Sequence, residues 1–194
     1  MKVLIITSHP WDGSYNYALR QSVENGLKKS NTTYEVLDLV KDQFNPVMTD
    51  KDLAVYSKGK FVDPKVGEYQ KKIEESDLIV FVFPVWWGLF PAILKGFLDK
   101  ILLPGWAFNT GMLGSLIGLI KGKKAVVIST MNTPKFLYHL YLFAPLKNAF
   151  IRNTLKMVGI KKVKWFELYR VLSVSNEKRK NWLSDIEHYF CRIH

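Results

Sequence analysis

Leu78-Ile79-Val80-Phe81-Val82-Phe83-Pro84-Val85-Trp86-Trp87-Gly88-Leu89-Phe90-Pro91-Ala92-Ile93-Leu94-Lys95-Gly96-Phe97-Leu98 decides the fold, because it passes from strand to aromatic loop to helix without a break. Residues 78–83 are apolar with no period of two, as a parallel strand covered on both faces requires. Pro84 ends the run, since proline cannot donate to a ladder. Pro91 suits the first position of a helix over 91–102, in which Leu94, Phe97, Leu98 and Ile101 recur at helical spacing. Trp86 and Trp87 then lie on the connection at the carboxyl end of a buried strand. Ligands of open α/β sheets bind at that edge. Two tryptophans in a core would need no ligand, but on a loop they also suit the lining of a pocket.

The same alternation runs outward in both directions. Strands are expected at 3–7, 34–39, 125–130 and 163–168, and helices at 14–29, 65–76, 145–157 and 176–190, the last capped by Ser175. Five strands alternating with helices predict a doubly wound, five-stranded parallel α/β sheet, and at 194 residues the chain reads as one domain over 1–194. Residues 78–94 and 101–120 carry no charge and approach spanning length. The prolines, glycines and polar residues within them argue against a membrane span.

Cys191 is the only cysteine, which rules out an intrachain disulfide and a cysteine-based metal cluster and favours a cytoplasmic location. Net charge is +11, and residues 147–194 carry 11 Lys and Arg against 4 Asp and Glu. No nucleic-acid motif accompanies the charge, so a solvated basic face is the expectation; peripheral contact with a membrane stays open.

After the first strand comes Ser8-His9-Pro10-Trp11-Asp12-Gly13-Ser14-Tyr15-Asn16. The glycine fingerprint of a dinucleotide site is absent. Ser14 is a helix-capping residue type, and the amides after it would face an anion at a helix N-terminus. Ser14 alone indicates only a cap; His9 and Asn16 beside it point to a ligand.

These motifs together resemble the flavodoxin-like NAD(P)H:quinone oxidoreductases, the family of DT-diaphorase and its bacterial relatives. The family's H-x-x-x-x-S-x-N-x-A is met by His9, Ser14, Asn16 and Ala18, its P-x-x-W by Pro84 and Trp87, its P-A-x-L-K-G by Pro91 to Gly96, and its G-x-A-[YF] by Gly105 to Phe108. The resemblance implies a flavodoxin-like fold that binds FMN or FAD. His9, Ser14, Tyr15 and Asn16 would hold the flavin phosphate and ribityl chain. Pro84, Val85, Trp86, Trp87 and Gly88 would lie along the ring. Thr130, Met131, Asn132 and Thr133 form the third loop, where Asn132 and Thr133 would donate to the ring's polar edge, with Lys135 as an alternative. Trp106 and Phe108 would border a substrate pocket shared in turn by NADH or NADPH and a quinone or similar flat acceptor.

The chain departs from the family over Ser129 to His139, where two adjacent glycines are missing; Tyr138 and His139 are the candidates for the catalytic tyrosine and histidine that balance charge on the reduced ring. His139 also reads as a packed interface residue. The uncharged run 136–146, together with the family's shared active site, implies a homodimer. Two other classes remain: a regulatory flavoprotein subunit of a membrane transporter, and a flavodoxin-like electron carrier, which the basic charge disfavours.

Overall fold

The computed structural model describes residues 1–193. Its central sheet contains β1 (Lys2–Thr7), β2 (Thr33–Asp38), β3 (Leu78–Pro84), β6 (Lys124–Thr130) and β7 (Lys162–Leu168), all parallel, in the order β2-β1-β3-β6-β7. The unbroken apolar run of β3 places it centrally, and every residue from Leu78 to Pro84 is buried. Alternation along the strands feeds two cores. Leu4, Ile6, Ile79, Phe81, Phe83 and Val127 face α3 (Pro64–Glu75) and α4 (Ala92–Ile101), whereas Val3, Ile5, Val80, Val82, Val126 and Ile128 face α1 (Tyr15–Lys29) and α5 (Asn176–Cys191).

Most expected elements stand within one or two residues of their sequence bounds. Pro84 is the last strand residue and pairs in register with Thr130, one position beyond the expected stop. Its missing N–H falls where the ladder ends and removes nothing. The helix expected at 145–157 is a π-helical stretch at Lys147–Leu155, preceded by a π-helical turn at Leu137–Tyr141, with i to i+5 bonds such as Lys156 N–H to the Ile151 carbonyl.

Two elements were not expected. One is α2 (Asp50–Tyr56), started by a capping box in which Thr49 and Asp52 bond each other's amides. The other is a hairpin of β4 (Phe108–Thr110) and β5 (Leu116–Gly118). Among the described residues no helix is long and apolar enough to cross a membrane.

Candidate active site

Three loops meet at the carboxyl edge of the sheet, after β1, β3 and β6. Thr130, at the end of β6, joins all three. Its carbonyl accepts the Val85 N–H at 2.7 Å, and its hydroxyl accepts from the Asn16 amide at 3.0 Å. Asn16 and Thr130 are both buried, so Asn16 braces the loops to one another and does not extend its side chain into solvent.

The first loop turns Ser14 into the N-cap of α1, its hydroxyl accepting the Tyr17 N–H at 3.2 Å. The amides of Tyr15 and Asn16, in the unpaired first turn, are left for an anion. The Tyr15 side chain takes no part in that cradle. Its hydroxyl donates to the Arg179 carbonyl of α5 at 2.7 Å, and burial pushes its pKa up to about 12. Of the four residues expected to hold the flavin phosphate and ribityl chain, Tyr15 therefore has only its amide free to do so. His9 Nδ1 accepts the Trp11 N–H, and the His9 ring meets Trp86 edge-on with centroids 5.9 Å apart, which ties the first loop to the second.

The second loop is a tight turn in which Trp86 and Leu89 exchange backbone hydrogen bonds of 2.8 and 3.1 Å. Trp87 (φ 50°) and Gly88 (φ 85°) occupy the left-handed region, as the two central residues of a type I′ turn must. A tryptophan in that conformation is uncommon, and its ring is thrown fully into solvent.

The third loop is bound to the strand beside it. Met131 N–H donates to the Leu168 carbonyl, and Asn132 Oδ1 accepts the Leu172 N–H at 3.1 Å, while Thr133 is half-buried. Ser8 was passed over in the sequence, although it stands directly after β1. Its hydroxyl is buried and has no hydrogen-bond partner among the described residues. An orphaned donor of this kind, beside two open amides and an exposed aromatic, suits a ligand that combines an anionic group with a flat ring.

Tyr138 is buried, donates to the Gly88 carbonyl at 3.2 Å and accepts the Leu146 N–H at 3.0 Å. Burial pushes its pKa up to about 12, so the hydroxyl stays protonated and clamps the aromatic turn. Tyr138→Phe strips the Gly88 carbonyl and the Leu146 amide of their partner and should cost about 1–3 kcal/mol of stability, measured by denaturant melts; an unchanged midpoint would show that the clamp is idle. His139 is bound on the far side of that segment, its Nε2 2.7 Å from Glu167 and 2.8 Å from the Tyr169 hydroxyl. Both ring contacts and its neighbour Trp165 belong to β7 and the residues after it, which fits packing of the segment against the sheet edge.

Trp106 is a correction. Its indole N–H donates to Glu74 at the end of α3, next to Ile73, Leu119 and Lys123. That is the amino edge of the sheet, opposite the tryptophan turn, because α3 ends where β3 begins. Phe108 lies elsewhere again, in an apolar cavity of about 530 Å³ with Leu89, Phe90, Leu98 and Met157. Within one chain, the slot expected between Trp86, Trp87, Trp106 and Phe108 is not formed.

The family model for the flavodoxin-like fold matches residues 1–190. A human ribosyldihydronicotinamide dehydrogenase [quinone] is 33% identical over 158 residues, covering 71% of this chain and 66% of that protein. An uncharacterized NAD(P)H oxidoreductase of Haemophilus influenzae is 28% identical over 188 residues, covering 96% of this chain and 92% of its own. Among solved structures, Smu.1420 from Streptococcus mutans UA159 superimposes with a TM-score of 0.88 at 29% identity, over 100% of both chains. The family match runs from β1 into the last helix, and the chain belongs to the family of the flavodoxin-like fold.

Proposed function

We propose that this protein is a flavin-dependent oxidoreductase that takes a hydride from NADH or NADPH and passes its two electrons and hydrogen, with one further proton from solvent, to a quinone or similar flat acceptor. The observation that carries this reading is the meeting of Ser8–Asn16, Val85–Gly88 and Thr130–Thr133 at one sheet edge, with the Ser8 hydroxyl orphaned among them. The names of the human and Haemophilus relatives support the reaction class.

Bound FMN or FAD would supply the hydride chemistry. The chain supplies the rest. The Tyr15 and Asn16 amides and the Ser8 hydroxyl hold a phosphate-bearing chain, the Trp86–Trp87 turn lies along the ring, and Asn132 and Thr133 place donors where negative charge gathers. His139, with Glu167 and Tyr169, holds the covering segment in place. Saturation with FMN or FAD followed by desalting should leave near-stoichiometric flavin in the protein fraction by absorbance. A colourless protein fraction would overturn the reading.

The substrate side of the site is proposed to need a second copy of the chain. Phe136, Leu140, Tyr141 and Phe143 are between 68% and 76% exposed, far more apolar surface than a single segment usually presents to water. Sedimentation at micromolar concentration should show a dimer, and Leu140→Asp with Phe143→Asp should convert it to a monomer of low reductase activity. A parent that sediments as a fully active monomer would refute the shared site.

A further inference from the structure

At the amino edge of the sheet, opposite the loops just described, the turn before β6 and the start of β7 enclose a cavity of about 360 Å³ lined by Lys121, Lys123, Lys124, Lys161, Lys162 and the glycines beside them. Among the described residues no carboxylate lies within 4.0 Å of any of these five ammonium groups. Two of them are held by neutral carbonyls: Lys123 by Glu74 and Ser76, at 2.7 and 2.6 Å, and Lys161 by Lys156 at 2.7 Å. Asp77 and Glu74 lie nearby and offset part of this charge, although each also accepts a neutral donor, Asp77 the Lys2 N–H and Glu74 the Trp106 indole. Burial holds the Lys123 pKa below the ordinary lysine value.

We propose that this cavity is a binding site for a multiply charged phosphate group. Five ammonium groups outnumber the two nearby carboxylates, and a polyanion seated among them meets that surplus of positive charge. The lining selects the chemistry further. It holds no arginine, so recognition rests on lysines acting as point charges, as they do on phosphate. It holds no aromatic ring, so a nucleobase has nothing to stack on. The Gly122 and Lys123 N–H groups donate to no backbone carbonyl among the described residues, and Gly122 (φ 80°) forms the turn that carries them. The phosphate can belong to a soluble polyphosphate or to a lipid headgroup. Both present the same oxygens.

Calorimetric titration with sodium tripolyphosphate, and cosedimentation with phosphatidylcholine vesicles with and without phosphatidic acid, separate the two sources. Saturable binding of tripolyphosphate assigns a soluble ligand, and binding confined to phosphatidate vesicles assigns a headgroup; either supports the site. Lys121→Gln, Lys124→Gln and Lys162→Gln together should weaken that binding by roughly tenfold or more, with flavin binding unchanged. An equal change of charge at the exposed Lys51, Lys58 and Lys180 should leave it within about twofold. If neither probe binds, or if the distant triple variant weakens binding as much as the site variant, the proposal is overturned. Because flavin binding is read separately at the other edge, failure here leaves the proposed activity untouched.

Discussion

Lys100→Met is expected to lower the free energy of unfolding by about 3–5 kcal/mol near neutral pH, because it leaves a buried carboxylate without its counter-ion. Lys100 and Asp52 are 3.3 Å apart with side chains only 4% and 10% exposed, and they fasten α2 to α4. Asp52 is held by more than the lysine. Burial pushes its carboxyl up, but the Thr49 amide at 2.9 Å, the Thr49 hydroxyl at 2.8 Å and Lys100 outweigh burial and leave it below the ordinary aspartate value. A carboxyl depressed in the folded state stabilises fully above its unfolded pKa and loses that contribution as pH falls through the folded value. In the variant the lysine is gone while burial and the two Thr49 bonds remain, so the folded pKa rises above that of the parent. The gap between parent and variant should therefore narrow on acidification toward about pH 4. Urea melts at the two pH values check both statements, and a loss under about 1 kcal/mol at neutrality would show that the pair contributes little beyond its cost of desolvation.

Trp87→Ala should reduce kcat/KM for both the nicotinamide and the quinone by roughly ten- to a hundredfold, while Trp106→Ala leaves both within about twofold. A large indole that stacks on a flat ligand is worth about 1.5–3 kcal/mol, which converts to that range. The Trp87 ring is fully exposed on the turn after β3, whereas the Trp106 indole is bound to Glu74 at the opposite edge. If nicotinamide and acceptor take turns at one ring face, steady-state lines for the parent should be parallel, and Trp87→Ala should impair both half-reactions in single-turnover experiments. An effect confined to one half-reaction, or a Trp106→Ala defect equal to that of Trp87→Ala, would separate the two substrates spatially.

The sequence was most legible where one segment's burial settles its own structure. Residues 78–83 are apolar throughout because β3 is covered on both faces, and Ser14 and Ser175 cap the helices they precede. It was least legible where short pieces depend on distant partners. α2 has only seven residues and is held by Lys100 from another helix; its start was written in Thr49 and Asp52, a capping pair with aspartate in place of the commoner glutamate. The hairpin strands have three residues each, too few to show a period. The site divides in the same way. That the loops after β1, β3 and β6 share one site is what the family resemblance implies, whereas the Tyr15 and Tyr138 hydroxyls and the Trp106 indole N–H, expected to face a ligand, are each committed to a protein carbonyl or carboxylate. Nothing local in the sequence reports Arg179, Glu74 or Gly88 as those partners.

The bond between Asn16 and Thr130 spans 114 residues of sequence, and Tyr15 reaches 164 residues forward to Arg179. Together these contacts impose an order on biosynthesis. A nascent chain that has displayed β1 and its loop on the ribosome has no pocket, because the brace from β6 and the backing from α5 have yet to emerge. If the chain binds flavin as proposed, capture would then follow emergence of nearly the whole polypeptide, and a chain truncated before α5 should fail to retain flavin however well its first three strands have paired.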